Sequence, residues 1–177
     1  MLPPARIQYA NGVADPGLDG EWAMRNMSFA KPAGAERGGL NLRVVVAASS
    51  NDRYDSKACD DFGTSLCLEA KGCGVKMHFD PANCSEIFAW DISAPAALER
   101  MFCDFAADKV DIVIVIMCDS GRCYPTIKNI ADYAGIASQC VKFKNVTREP
   151  RGYKQNLMLK INTKCGGVNH TLAGKLV

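Results

Sequence analysis

The chain has 177 residues, a formal net charge of +2, 48% hydrophobic and 23% charged residues, which are the proportions of one ordinary globular domain. No apolar run approaches the ~18 residues that a membrane-spanning helix requires, because Asp111 interrupts the longest, Val110 to Cys118. The opening MLPPARIQYA lacks the apolar stretch of a secretory leader, so neither a leader nor a membrane partner is expected.

In chain order, residues 1–41 hold Pro3, Pro4, Pro16, Pro32 and several glycines without sustained periodicity, and read as a linker with one short extended piece, Trp22 to Phe29. Leu42 to Ala48 is a nearly continuous apolar run, the pattern of a strand buried on both faces. Ser56 to Lys71 has helical spacing, with Ala58, Phe62, Leu66 and Ala70 on one face and Gly72 and Gly74 closing it. Val75 to Phe79 reads as a second strand. Pro95 to Ala107 is a helix with a stripe of Leu98, Met101, Phe102 and Phe105, and Pro95 is tolerated in its first turn.

Val110 to Met117 (VDIVIVIM) is the strongest strand. Tyr124 to Ala134 follows as a helix, Gln139 to Phe143 as a fourth strand and Tyr153 to Thr163 as the last helix. Gly166 to Val177 has no evident partner. The alternation of strands and helices predicts an α/β fold, a Rossmann-like parallel sheet of about four strands with helices on both faces, because parallel neighbours need crossover helices.

Charge is uneven along this frame. From Cys118 onward there are 10 Lys and Arg against 3 Asp and Glu, whereas the preceding part has 11 against 16. The surplus points to an anionic partner for the C-terminal third, with a solvated basic face as the plainer reading. The nine cysteines form no C-x-x-C pair, and His78 and His170 are far apart, so neither a zinc site nor a disulfide framework is expected. Reduced, mostly buried thiols in a cytoplasmic protein fit better. Cys118 and Cys123, which flank a Gly-Arg loop, are the pair to watch for oxidation.

Ligands of open parallel sheets gather beyond the carboxyl ends of the strands. The strongest strand ends at Met117 and is followed by CDSGRCY and then a helix, whose free N–H groups and dipole favour a phosphate. Tyr124 and Lys128 share a face of that helix at i, i+4. Lys160 and Lys164 have the same spacing on the last helix, where like charges repel unless an anion stands between them. Gln139 can add a neutral donor. Carboxylates form no catalytic or metal-binding group, and no phosphate-loop, nucleophile-elbow, zinc-protease or dinucleotide fingerprint is present. No catalytic residue, metal or cofactor is therefore expected.

Three runs together carry a resemblance: Tyr124-Pro-Thr-Ile-Lys128; Gly135-Ile-Ala-Ser-Gln139-Cys140-Val141; and Asn156-Leu-Met-Leu-Lys160-Ile-Asn-Thr-Lys164-Cys-Gly-Gly-Val-Asn169. Their order and spacing resemble the MID domain of eukaryotic Argonaute proteins, whose pattern is Y-x-x-x-K, G-x-x-[ST]-Q-C-V, and N-x-x-L-K-I-N-x-K-x-G-G-x-N. Gly20 to Phe29 resembles the family's approach to that domain. The resemblance implies residues 1–40 as the linker leading into MID, 41–165 as MID, and 166–177 as the opening of the PIWI domain.

It further implies a binding domain for a 5′-phosphorylated small guide RNA in RNA silencing, with PAZ and PIWI domains as partners and no enzymatic step. Tyr124 would stack on the first base while Lys128, Gln139, Lys160 and Lys164 hold the 5′ phosphate. Asp119, Ser120, Gly121 and Arg122 correspond to the base-discriminating loop, although CDSGRC departs from the Pro-Gly-Lys-type loop of animal members. Two other classes stand beside this reading. One is a small α/β enzyme acting on a phosphorylated metabolite or nucleotide, for which Asp119 is the available acid or base; the other is a protein-docking module.

Overall fold

The computed structural model describes residues 5–48, 52–88, 95–118 and 123–173. Its centre is β3 (Leu40–Ala48), in which every residue from Val44 to Ala48 is buried. On one side β3 pairs with β6 (Ile112–Met117), a strand buried along its whole length. Its other side is shared by β4 (Met77–His78) at the amino end and β5 (Ser85–Phe88) at the carboxyl end. β7 (Ala137–Lys142) pairs with β6 and forms the sheet edge. All of these pairings are parallel, so five strands form the sheet expected from the alternation.

Side-chain alternation separates two cores. Leu42, Val44, Val46, Ile112, Ile114, Ile116 and Val141 face α1 (Ser56–Gly72) and α5 (Tyr153–Lys164). Val45, Ala47, Val113, Val115 and Met117 face α2 (Pro95–Ala107) and α3 (Tyr124–Tyr133). A short helix, α4 (Phe143–Thr147), follows β7 directly. The Asp55 carboxylate caps α1 by accepting from the Ala58 N–H at 3.2 Å. On that helix Cys59, not Ala58, enters the core with Phe62, Leu66 and Ala70.

Several expectations are corrected. The second strand shrinks from Val75–Phe79 to Met77–His78, because Asp80 caps a single 3-10 turn at Pro81–Asn83 and β5 then takes over the edge of β3. Trp22 to Phe29 forms no strand. Instead β1 (Arg6–Tyr9) and β2 (Gly12–Ala14) make a hairpin, and β8 (Thr171–Ala173) pairs antiparallel with β1. The segment after Gly166 therefore does have a partner, near the other end of the chain. Ile7, Tyr9 and Ala14 join the α1/α5 core. Local periodicity could not reveal this sheet, because its strands have three or four residues and one comes from far along the sequence.

Asn162 fastens the two ends together. Its buried Oδ1 accepts from the Ala33 N–H at 2.7 Å and its Nδ2 donates to Asn169 Oδ1 at 2.9 Å. Gly166 turns the chain at φ +85°, and a Cβ on Gly167 would collide with the Asn162 side-chain amide. The glycine pair is thus a requirement of close packing.

Candidate functional site

β7 is an edge strand, yet two of its carbonyls are occupied by side-chain donors. The Ser138 carbonyl accepts from Lys128 Nζ at 2.7 Å and from Lys164 Nζ at 2.6 Å. Lys128 Nζ also donates to Ser138 Oγ at 2.7 Å, and Lys164 Nζ to Gln139 Oε1 at 3.0 Å. Gln139 Nε2 in turn donates to the Cys140 carbonyl at 2.9 Å. The two lysines come from opposite faces of the sheet, Lys128 from α3 and Lys164 from α5, and meet around its rim.

This arrangement concentrates positive charge against neutral partners. Among the described residues, no carboxylate forms an ion pair with Lys128, Lys160 or Lys164. Lys164 is held below the ordinary lysine range, first by burial of its ammonium and then by the charge of Lys128, with Lys160 adding to the effect. Burial raises the Cys140 thiol beside them, while Lys128 and Lys164 work against that rise. An anion placed between the ammoniums would relieve their repulsion and use N–H donors that the protein leaves over.

Tyr124 begins α3 one turn before Lys128 and is 46% exposed, so its ring is accessible at the helix start. Cys123 stands at the N-cap, and among the described residues no side chain caps the helix. Lys160 is exposed one turn before Lys164 and contributes charge rather than a hydrogen bond to the cluster. Asp119, Ser120, Gly121 and Arg122 lie outside the described residues. β6, a central strand, ends at Met117. The structure therefore brings Lys128, Gln139 and Lys164 together, but along the β7 edge rather than beyond the strand ends.

Two features escaped the sequence reading. Ser138 is buried at 3% exposure and links both lysines; it fills the Ser/Thr position before Gln139 in the resembled pattern, but that spacing shows neither its burial nor its two lysine partners. A groove of about 410 Å³ at the carboxyl ends of β6 and β7 is lined by Met117, Lys142, Phe143, Lys144 and Arg148, among others. The run KFKNVTR carried that signal. Burial pushes the Cys73, Cys84 and Cys165 thiols up to about 11, with the neighbouring Lys164 charge working against the rise at Cys165, as expected of cysteines that serve packing.

No protein-family model matches the chain. Protein argonaute-2 of Drosophila melanogaster is 26% identical over 174 residues, covering 97% of this chain and 14% of that protein. The crystal structure of the Arabidopsis thaliana AGO5 MID domain superposes with a TM-score of 0.62 at 25% identity, covering 79% of this chain and 95% of that domain. The chain resembles the MID domain of eukaryotic Argonaute proteins. Drosophila Piwi shares the fold of this MID-like chain, with a TM-score of 0.72 at 18% identity over 99% of the chain and 24% of Piwi. The MID-like chain thus spans about one seventh of its argonaute-2 relative. The likeness supports an RNA-binding role of the Argonaute type.

Proposed function

We propose that this chain holds the 5′-terminal phosphate and first nucleotide of a small guide RNA, as the MID domain of an Argonaute silencing effector in the cytoplasm. It performs no catalysis itself. The observation that carries this reading is the meeting of Lys128 and Lys164 on one neutral carbonyl, with no carboxylate paired to either among the described residues. Gln139 and Lys160 complete the donor set. Tyr124 supplies the stacking surface, and residues 119–122 choose the base.

A terminal phosphate suits these donors better than an internal one. A phosphomonoester carries about −1.5 to −2 charges at neutral pH and three strong acceptor oxygens. A phosphodiester carries one charge. Each charge-assisted hydrogen bond is worth roughly 1.5–3 kcal/mol before ordering costs, which leaves an affinity in the micromolar to millimolar range for the isolated chain. In the parent protein, residues 1–40 lead into this domain, 166–177 open the PIWI domain, and PAZ and PIWI are the neighbours within the chain.

The test is a titration with one short RNA in 5′-phosphorylated and 5′-hydroxyl forms. The phosphorylated form is expected to bind at least about tenfold more tightly. Equal affinities would overturn the reading and leave a basic surface indifferent to the RNA end.

A further inference from the structure

We infer that Ser138 is a positioning residue of this site, setting where the Lys128 ammonium stands through its hydroxyl and carbonyl and drawing Lys164 to the same point through that carbonyl. This deepens the proposed function and rests on it. The serine is buried in β7, opposite Val113 of β6, so the strand ladder holds it in place. The lysines, in contrast, sit on long stems that would otherwise sample many rotamers.

Counting donors shows what the arrangement leaves available. An ammonium has three N–H groups. Lys128 uses two on Ser138 Oγ and the Ser138 carbonyl, and Lys164 uses two on that carbonyl and Gln139 Oε1. Each keeps one for an external acceptor. Two ammoniums on one oxygen stand no further apart than their two hydrogen bonds laid end to end, about 5.3 Å, a gap that two oxygens of one phosphate can bridge. Without the hydroxyl, Lys128 keeps only the shared carbonyl and can swing away from its repelling neighbour.

The experiment compares Ser138→Ala and Ser138→Thr with the unmodified chain, using 5′-phosphorylated and 5′-hydroxyl forms of one short RNA, with melting temperatures recorded. Ser138→Ala is expected to weaken the phosphorylated RNA about three- to tenfold, leave the hydroxyl form unchanged, and be rescued by threonine, which keeps the hydroxyl. In a Lys128→Ala background the serine change should cost nothing further, whereas in a Lys164→Ala background its cost should return. If Ser138→Ala weakens both RNAs equally, the residue serves the fold and the inference fails. If the unmodified chain prefers the phosphorylated RNA and Ser138→Ala binds it equally well, the inference fails while the functional reading stands. If the unmodified chain shows no preference, the functional reading fails and the inference falls with it.

Discussion

Lys128 and Lys164 donate to the same main-chain oxygen, the Ser138 carbonyl, although their helices cover opposite faces of the sheet. Two like charges on one neutral acceptor are favourable to maintain only where an anion joins them. Replacing either lysine with glutamate removes an attraction and inserts a repulsion. Lys128→Glu and Lys164→Glu are each expected to weaken a 5′-phosphorylated RNA about a hundredfold or more. Lys109→Glu is the control, because Lys109 is exposed in the turn before β6 and, among the described residues, takes no part in the hydrogen bonds of the cluster. Equal losses from all three changes would reduce the cluster to general positive charge.

If Tyr124 stacks on the first base, as proposed, its removal will separate the base contribution from the phosphate contribution. Stacking on an aromatic ring is worth roughly 1–3 kcal/mol per base. Tyr124→Ala should weaken a nucleoside 5′-monophosphate by that amount and inorganic phosphate much less, as read by titration calorimetry. A matching loss for both ligands would assign the tyrosine to the phosphate or to the start of α3.

How far the sequence revealed the fold follows from the length of its patterns. VDIVIVIM and LRVVVAA are long enough to declare buried strands, and the stripe Leu98, Phe102, Phe105 declares a helix face. β1, β2 and β8 are too short, and the pairing of β1 with β8 joins residues more than 160 positions apart. At the site, i, i+4 spacing brought Tyr124 next to Lys128 and Lys160 next to Lys164. What it could not show was that α3 and α5 deliver Lys128 and Lys164 around the β7 edge to one atom. That relationship depends on strand order, which no local pattern encodes. Asn162 and Gly167 lie in the same run as the lysines, yet their work is to hold the chain ends together.

Residues 119–122 fall in the sequence between β6, which ends at Met117, and α3, which begins at Tyr124. If this segment chooses the base, replacing it with a different sequence of equal length will change the affinity order of the four nucleoside 5′-monophosphates. Their shared phosphate contribution should stay constant. An unchanged order would move base selection to another element.

Asn162 offers a stability test independent of binding. Asn162→Leu leaves the buried Ala33 N–H without its partner, at a cost of about 1–3 kcal/mol, and frees the half-buried Asn169 Oδ1, which water can reach, at a smaller one. For a chain of this length that lowers the melting temperature by roughly 2–4 °C per kcal/mol. The ratio of 5′-phosphorylated to 5′-hydroxyl RNA affinity should be preserved in the folded protein. A changed ratio with an unchanged melting temperature would place Asn162 in the binding site instead of the clasp.

The pH dependence carries a sign that tests the lysine cluster directly. Burial and the charge of Lys128 hold Lys164 below its ordinary value of 10.5. Between that lowered value and 10.5 the unfolded chain keeps a proton that the folded chain has released. The contribution of Lys164 to stability therefore rises with pH across this window and is lost as pH falls through the folded value. At neutral pH both states are protonated, and the ligand-free protein bears the full cost of the confined charge. Binding reverses the preference, because a phosphate favours the ammonium. Affinity for 5′-phosphorylated RNA should accordingly fall as pH rises through the Lys164 transition, and fall again below about pH 6 as the phosphate takes its second proton. Lys164→Met should remove the alkaline limb from both curves, leave the acid limb of binding in place, and raise the melting temperature of the ligand-free protein at neutral pH. Thermal unfolding and RNA titration from pH 5 to 10.5 on both proteins would read these limbs. An alkaline limb that persists in Lys164→Met would mean that another group titrates there, and that the ammonium of Lys164 is not held for an anion.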